Sequence, residues 1–160
     1  MDAITYHPIG VLRSPHAQPE GMPIQPAGAR GERGRVELDP RYAPALADLD
    51  GFSHVYLLYH FHRAGPYSPE VTPFLDGEPK GLFATRAPTR PNPIGISVLR
   101  LERVEGGVAH LLDVDVLDGT PVLDIKPYVP RFDAPHGEVR SGWLEAREGE
   151  ESARSDGRFA

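Results

Sequence analysis

The sequence predicts a mainly β protein built as a single domain. Its 160 residues include 18 prolines and 17 glycines, too many for a helical protein because both residue types interrupt helices. They fall between short apolar runs, which is typical of strands separated by turns. With 39% apolar residues, a chain of this length forms one hydrophobic core and is short for two. We therefore expect one domain over residues 1–146.

The first half of the chain predicts three strands. Ile4–Ser14 forms the first and Arg33–Leu38 the second, joined by the long Pro/Gly-rich connection Pro15–Gly31. Ala43–Asp50 is compatible with a short helical turn. Phe52–His62 is rich in β-branched and aromatic residues at successive positions, which predicts a strand buried on both faces.

The clearest local pattern is a β-hairpin in the second half. Ile94–Val104 and Val108–Leu117 are strand-like runs, and Glu105–Gly107 supplies the turn residues between them. In the returning strand, alternate positions would share one side: Val108, His110, Leu112, Val114 and Val116. Further along, we expect Lys126–Val129 to add a short extended piece and Gly142–Ala146 to begin a helix.

The end of the chain has a different composition. Beyond Arg147, the sequence EGEESARSDGRFA offers almost no apolar side chain to a core. Because burial in such a segment cannot offset the entropy lost on ordering, we expect residues 147–160 to form a disordered tail.

Composition excludes several classes of protein. The chain has no cysteine, which excludes thiol nucleophiles, thiolate zinc sites and disulfides. Its N-terminus, MDAITYHPIGVLRSP, lacks the apolar core of a signal peptide, and no run approaches the roughly 18 apolar residues of a membrane span. We therefore expect a cytoplasmic protein that has no membrane partner.

The stretch Gly81–Gly95, GLFATRAPTRPNPIG, carries the strongest indication of a binding site. Pro88, Pro91 and Pro93 fix their own φ and push the residues before them into extended geometry, so the segment must be a stiff loop. The polar side chains that it would hold in place are Arg86, Arg90 and Asn92. Guanidinium groups suit carboxylates or phosphates, and an amide suits a nucleobase edge. The alternative is a proline-braced turn with solvated arginines.

Charge is distributed unevenly along the chain. A net charge of −6 argues against a nucleic-acid binder with a broad basic surface. One stretch nevertheless has five cations against a single anion: Lys80, Arg86, Arg90, Arg100 and Arg103 against Glu102. This local excess could steer an anionic substrate, although a solvated charged face explains such a run equally well.

A second polar cluster, DVDVLDGTPVLDIKPY, occupies Asp113–Tyr128 around an Asp-Gly turn at a strand end. Asp115 and Asp118 could accept hydrogen bonds from a ribose or an ammonium group. Asp124 and Lys126 form either an ion pair or a proton-transfer pair. The structural alternative is a turn in which Asp118 bonds its own backbone.

The sequence does not support a metal site or the common nucleotide motifs. His54, His60 and His62 lie in a stretch without a carboxylate to complete a ligand set, so we expect packed or hydrogen-bonded histidines and no metal. The motif GxSxG is absent, and Ser97 lies inside a strand pattern where no nucleophile elbow can form. GxGxxG and Walker loops are also absent, so no Rossmann or P-loop site is predicted.

Five motifs in a fixed order carry a family resemblance. They are IGVLRSP at Ile9–Pro15, MPIQP at Met22–Pro26, GFSHVYLLYHFH at Gly51–His62, GLFATRAPTRPNPIG at Gly81–Gly95, and LDGTPVLDIKPYVP at Leu117–Pro130. In these motifs the chain resembles the TsaA-like family, also called TrmO. The resemblance spans about residues 4–131, and its two long motifs are highly specific.

This resemblance implies a small antiparallel β-barrel that uses S-adenosylmethionine without a Rossmann fold and works as a homodimer. It implies methylation of N6 of threonylcarbamoyladenosine beside the anticodon of tRNA, with the cofactor close to the subunit interface. By match to the family motifs, the cofactor neighbours are Gln25, Pro26, Ala27, His62, Arg63, Arg86, Ile96, Asp115 and Asp118. The catalytic candidates are Asp124, Lys126, Tyr128 and Asn92, and the substrate-binding candidates are Arg13 and Arg90.

Two departures from the better-known bacterial members keep other functions open. Position 27 is Ala where those members have Gly, and the sequence ends at residue 160 where they continue into a C-terminal domain. The alternatives are a small-molecule methyltransferase and a module that binds S-adenosylmethionine without turnover.

Overall fold

The computed structural model, which describes residues 2–147 and 153–160, consists mainly of short strands. In chain order they are β1 (Gly10–Arg13), β2 (Arg33–Leu38), β3 (His54–His60), β4 (Glu70–Val71), β5 (Lys80–Gly81), β6 (Ile94–Glu105), β7 (Val108–Leu112) and β8 (Thr120–Pro127). Short 3₁₀ helices occupy Pro26–Ala29, Pro40–Leu46, Leu49–Gly51, Leu82–Ala84 and Gly142–Arg147, and a short α-helix, α1, occupies Pro130–Asp133. No helix in the described ranges has the length and apolar character needed to span a membrane.

Among the described residues, six strands close into an antiparallel barrel in the order β1-β2-β7-β6-β3-β8, and β4 pairs with β5 separately. The 12-residue β6 connects two walls of the barrel, because its first half pairs with β3 and its second half with β7. β8 completes the ring by pairing with β1 at one end and β3 at the other. The predicted mainly β fold, and the antiparallel barrel that the resemblance implies, are confirmed.

The barrel interior is filled from alternate strand positions. Along β3, Val55, Leu57 and Tyr59 are buried, whereas the positions between them are partly exposed. The expectation of a strand buried on both faces is therefore wrong, because each barrel strand turns only one face to the interior. Buried aliphatic side chains from the other strands and loops complete this core: Leu12, Val36, Leu99, Leu111, Val114 and Val122.

The β6–β7 hairpin turns at Gly106 and Gly107, as the sequence predicts. Both glycines have positive φ, 57° and 81°, which is the geometry of a type I′ turn. Within β7, Val108, His110 and Leu112 share one side, as predicted; this side is partly exposed, and Ala109 and Leu111 on the other side are buried. After β7, Asp113 adopts a left-handed backbone with φ of 65°, which shifts the alternation. Val114 and Val116 are consequently buried.

Several strand boundaries differ from the prediction: β3 covers His54–His60 rather than Phe52–His62, and β7 ends at Leu112 rather than Leu117. β1 begins at Gly10 rather than Ile4, and Ile4 is 77% exposed because the pairing with β2 covers only Gly10–Arg13. β8 begins at Thr120 rather than Lys126, since the Asp-Gly turn before it is tight and the chain pairs with β1 at once. The 3₁₀ helices Pro40–Leu46 and Gly142–Arg147 lie where helical turns are expected.

Segment 153–160 differs from the expected disordered tail. Two of its carbonyl oxygens accept hydrogen bonds from backbone N–H groups earlier in the chain: Ser155 O from Gly21 N at 2.6 Å, and Phe159 O from Gly65 N at 2.9 Å. The Phe159 side chain packs against a small buried cluster formed by Val71, Leu82 and Ala87. One aromatic anchor and these backbone bonds compensate for the polar composition. Residues 148–152 of the expected tail lie outside the described residues.

One contact at the end of the barrel requires a glycine. The Tyr59 ring crosses β6 at Gly95, where a Cβ atom would overlap the ring. Tyr59 also meets Phe61 edge-on, with ring centroids 5.4 Å apart. The missing side chain at position 95 therefore allows two aromatic rings to lie close to the β6 backbone.

Replacing Gly95 by alanine is expected to destabilise the fold by about 1–3 kcal/mol, because the added methyl group overlaps the Tyr59 and Phe61 rings. Gly51→Ala is the matched control, since a Cβ there meets nothing within 4 Å. Urea unfolding followed by circular dichroism measures both variants. Equal stability of the two variants would contradict this packing.

Candidate active site

A cavity of about 710 Å³ lies at the end of the barrel where β3 ends and β6 begins. Its walls come from separate parts of the chain, including residues 22–26 before β2, the loop 83–90 and segment 153–160. Most of the lining side chains are apolar. A cavity of this size and character suits a small organic ligand or a cofactor.

Two residues of the inner cavity wall, Tyr59 and Asp115, are joined by hydrogen bonds through the buried Ser97 behind them. Ser97 Oγ donates to Asp115 Oδ1 at 2.7 Å, and Tyr59 Oη lies 3.1 Å from Ser97 Oγ. Because the Ser97 proton goes to the carboxylate, Tyr59 donates to Ser97. All three residues are buried, so these hydrogen bonds supply the partners that buried polar groups require.

Burial determines which of these hydrogen-bonded side chains carry a charge. It raises the pKa of Asp115 to about 6, against the opposing effects of the Ser97 hydrogen bond and the Arg86 charge. Burial, together with the Asp115 charge, also raises the pKa of Tyr59, so this phenol stays neutral at physiological pH. At neutral pH the wall therefore presents one carboxylate, mostly ionised, among apolar groups.

His62 lines the cavity in a defined tautomer. Thr120 Oγ1 donates its only proton to Leu117 O at 2.7 Å, so His62 Nδ1 donates to Thr120 Oγ1 at 3.3 Å and Nε2 carries the lone pair. Partial burial lowers the pKa of His62, and the charges of Arg63 and His60 add to this effect. The neutral ring can accept a proton. No group of three or more His, Asp or Glu side chains in the described residues could hold a metal ion.

Arg90 organises the proline-rich loop from within. Its Nη1 donates to the carbonyl oxygens of Thr85 at 3.0 Å and Ala87 at 3.3 Å. Its guanidinium also lies 5.5 Å from the centroid of the Phe83 ring. The segment is a stiff loop, as predicted, but Arg90 uses part of its donor fork on the backbone of the loop itself.

Aromatic side chains form one rim of the cavity. Phe83 lines the cavity although it is 78% exposed. Trp143 donates Nε1–H to Ala84 O at 2.9 Å, so its ring is attached to the same 3₁₀ turn as Phe83. Phe159 adds a further ring to the wall and packs edge-on against Phe74, with centroids 5.0 Å apart.

Several cations of the charge-rich stretch are paired with nearby carboxylates. Arg100 Nη2 donates to Asp113 Oδ1 at 2.8 Å, Arg103 Nη1 donates to Glu102 Oε2 at 2.8 Å, and Lys80 Nζ lies 3.2 Å from Asp76 Oδ2. The stretch therefore does not act as one positive surface. Three arginines line the cavity, Arg63, Arg86 and Arg90, and the first two are exposed.

The cavity brings together about half of the residues that the motifs predict. Those that line it are Gln25, Pro26, His62, Arg63, Arg86, Arg90, Ile96 and Asp115. Those that do not line it are Ala27, Asp118, Arg13, Asn92, Asp124, Lys126 and Tyr128. The first group contains most of the expected cofactor neighbours, and the second contains all the expected catalytic residues.

Arg13 and Asp118 form a separate polar group. Arg13 Nε lies 3.2 Å from Glu37 Oε2, and its Nη1 lies 4.0 Å from Asp118 Oδ2. Asp118 Oδ1 accepts the backbone N–H of Ser14 at 3.0 Å, so this carboxylate fastens the end of β1 rather than its own turn.

Asp124, Lys126 and Tyr128 lie along β8 and just beyond it. Lys126 Nζ is 2.8 Å from Asp124 Oδ2, and both side chains are largely accessible to solvent. The pair therefore matches the ion-pair interpretation. The Tyr128 ring packs edge-on against Tyr56, with centroids 5.5 Å apart.

Sequence reasoning missed Tyr59, Ser97 and Phe83 as site residues. Gly95, Ser97 and Leu99 alternate on the inward face of β6. A single hydroxyl among such inward positions is the sequence pattern that indicates Ser97 as a site residue. Phe83 stands inside the proline-rich motif, but its exposure depends on how the loop folds.

Known proteins are similar to this chain in sequence and in fold. The family model of the tRNA-methyltransferase O N-terminal domain matches residues 11–134. A probable S-adenosyl-L-methionine-binding protein of Pyrococcus abyssi is 52% identical over 157 residues, 98% of this chain and 85% of that protein. The tRNA (adenine(37)-N6)-methyltransferase of Escherichia coli is 39% identical over 140 residues, 81% of this chain and 60% of that protein.

Longer relatives and a solved structure agree with these matches. The human tRNA (adenine(37)-N6)-methyltransferase is 40% identical over 135 residues, 80% of this chain and 31% of that protein. The crystal structure of TrmO from Pseudomonas aeruginosa superposes with a TM-score of 0.74 at 44% identity, covering 89% of this chain and 63% of that one. The chain thus spans less than two thirds of these longer proteins.

Asp115→Asn is expected to remove a pH-dependent loss of stability. The pKa of Asp115 is about 6 in the folded state and about 3.9 in an unfolded chain. The folded state thus keeps a proton that the unfolded chain releases between about pH 4 and 6, so stability falls as pH rises through this window. Relative to the variant, the wild type should lose on the order of 3 kcal/mol of unfolding free energy.

Urea unfolding at several pH values measures this difference. Asp118→Asn is the control, because its carboxylate lies outside the cavity and is accessible to solvent. A difference between wild type and Asp115→Asn that stays constant from pH 4 to 7 would contradict the raised pKa.

Proposed function

We propose that this chain, which belongs to the family of the tRNA-methyltransferase O N-terminal domain, transfers a methyl group from S-adenosylmethionine to N6 of an adenine beside the anticodon of tRNA. Family membership supports the reaction class. The observation that carries the proposal is a buried carboxylate, Asp115, in the wall of a mainly apolar cavity of about 710 Å³. Such a wall complements a ligand that is both apolar and cationic.

The cavity residues fit S-adenosylmethionine. This cofactor joins an adenosine to an amino acid through a sulfonium and carries a net positive charge. Asp115 offers the opposite charge, and the guanidinium group of Arg63 suits the carboxylate of the amino acid. Apolar lining side chains such as Phe61 and Val116 exclude water, which strengthens these charge pairs.

When bound, the cofactor supplies a methyl group on a sulfonium whose positive charge disappears on transfer. The protein therefore has to align donor and acceptor and exclude water, and positioning of this kind lowers a barrier by ~7–11 kcal/mol. A base that takes the N6 proton adds a factor of roughly 10² to 10⁴. His62 Nε2 can fill that role inside the cavity, whereas Asp124 and Tyr128 lie outside its lining.

An anticodon-loop adenine is a physically suitable acceptor. Its edges are exposed once it is unstacked, so a cavity can enclose it. Arg86 at the cavity rim is exposed and available to a flanking phosphate. Following the family resemblance, we also propose threonylcarbamoyladenosine as the modified nucleoside and the cytoplasm as the place of the reaction.

We further propose a homodimer in which two copies complete each site. Ile94 and Ile96, two apolar side chains of β6 that line the cavity, are 41% and 51% exposed. Burying them against a second copy is favourable. Asp124 pairs with Leu58, which pairs with Ile96, so Asp124 lies two strand spacings, roughly 10 Å, from the cavity edge. Asp124, Lys126 and Tyr128 would thus act in the cavity of the partner.

Cofactor titration followed by methyl transfer tests the reaction. We expect calorimetry to detect S-adenosylmethionine binding, and labelled methyl groups to enter tRNA from a strain that lacks the modification. Asp115→Asn should weaken cofactor binding about tenfold or more because it removes a desolvated opposite charge, whereas Asp118→Asn should not.

Other results of this titration and transfer assay would argue against the proposed reaction. Binding without transfer to tRNA would favour the small-molecule methyltransferase or the non-catalytic binding module. Absence of cofactor binding would contradict the assignment of the cavity.

Mixed dimers test whether two copies build one site. Asp115→Asn and Asp124→Asn should each be impaired alone, because each removes one half of a shared site. Random mixing should restore about a quarter of the wild-type sites, since half of the dimers are mixed and each of these has one intact site. Chromatography before and after mixing controls for the exchange of subunits.

A lack of recovery in exchanged dimers would contradict the shared site. A full single-turnover rate of Asp124→Asn alone would remove this residue from the mechanism. Either result would leave His62 as the proton acceptor within one chain.

A further inference from the structure

Phe83 combines three properties that a purely structural phenylalanine does not need. It is 78% exposed, it lines the cavity, and it belongs to a turn fixed from two sides. A phenylalanine that serves only packing is normally buried, because exposing its ring forgoes the gain from the hydrophobic effect. The exposed ring at the cavity mouth is therefore available to a ligand.

The turn that carries Phe83 is held rigidly. Thr85 Oγ1 donates to Leu82 O at 2.8 Å, and the Arg90 guanidinium lies 5.5 Å from the Phe83 centroid. Trp143 donates to Ala84 O at 2.9 Å and so attaches a second cavity-lining ring to this turn. Rings fixed in this way lose little conformational entropy when a flat ligand stacks on them.

We propose that Phe83 stacks an unstacked adenine base of an RNA strand at the mouth of the cavity. A π face at the rim suits a nucleobase, and exposed Arg86 beside it suits the phosphate that accompanies a base in RNA. This inference rests on the proposed function, and it assigns recognition of the acceptor base to a residue outside the expected substrate set.

Adenine reaches this site from two sources, the RNA and the cofactor. Both present the same flat base, so the shared chemistry alone does not separate them. Asp115, which complements the positive charge of the cofactor, lies in the buried inner wall, whereas Phe83 stands exposed at the mouth. This difference in depth favours the RNA base as the partner of Phe83.

The test uses an anticodon stem-loop carrying 2-aminopurine at the target adenine, because stacking on an aromatic ring quenches its fluorescence. Wild type, Phe83→Ala and Phe83→Tyr are titrated with this RNA, and cofactor binding is measured separately by calorimetry. Phe132→Ala is the matched control: its ring is 71% exposed, lies 4.6 Å from the Arg131 guanidinium, and is absent from the cavity lining.

The expected result is RNA binding weakened about 5- to 150-fold in Phe83→Ala, with loss of quenching. Phe83→Tyr and Phe132→Ala should bind RNA like the wild type, and cofactor affinity should stay within about twofold in all variants, since cofactor recognition is separate. This pattern supports the proposal even if the wild type fails to transfer a methyl group, so failure of the proposed reaction is recognised separately.

Three results would overturn the proposal. Unchanged RNA binding and quenching in Phe83→Ala would show that the ring is not a stacking surface. An equal or larger loss of cofactor affinity would assign the ring to the adenine of the cofactor. Conversion of Phe83→Ala from dimer to monomer in sedimentation would show that a second copy covers the ring.

Discussion

The structure depends on keeping a carboxylate buried at the end of the barrel. Asp115 lies where burial penalises its charge, so it requires a donor, and Ser97 supplies one from an inward position of β6 that would otherwise suit an aliphatic residue. Tyr59 donates in turn to Ser97, and its ring fits only because Gly95 has no side chain. The residue types at these four positions, which lie on three segments, therefore depend on one another. The cavity forms beside them.

The proline-rich loop likewise depends on one side chain, because its carbonyl oxygens need a hydrogen-bond donor. Prolines stiffen a loop but remove backbone donors, so carbonyl oxygens in such a loop have fewer local partners. Arg90 supplies the missing donors through Nη1, and its guanidinium also supports the Phe83 ring. The sequence suggests that Arg90 binds a ligand. In the structure it stabilises the loop instead, and the loop holds the exposed Phe83 ring at the cavity.

How far the sequence predicts the structure depends on the range of the interactions involved. The bounds of β2, the start of β6 and the Gly106–Gly107 turn follow from local alternation and turn chemistry. The burial of Val114 and Val116 after β7 and the order of segment 153–160 depend on one left-handed residue, Asp113, and one anchored ring, Phe159. Both act through contacts between distant parts of the chain, which composition does not report.

The same distinction applies to the site. Motif matching leads to several cavity residues, Gln25 and Asp115 among them, because short motifs keep their local geometry. The chain of Tyr59, Ser97 and Asp115 forms only when barrel closure brings three separate segments together. No local pattern contains that arrangement.

The charge distribution limits how this protein can hold a nucleic acid. The net charge is −6, and Arg100 and Arg103 pair with nearby carboxylates. Phosphate-driven affinity grows with the number of counterions released, so a rim with few available cations supplies little of it. Affinity must then come from directed contacts, and stacking selects an unstacked base over duplex RNA. Weak electrostatic attraction thus becomes an advantage, because it leaves recognition to the base, as the proposed methylation of a single anticodon-loop adenine requires.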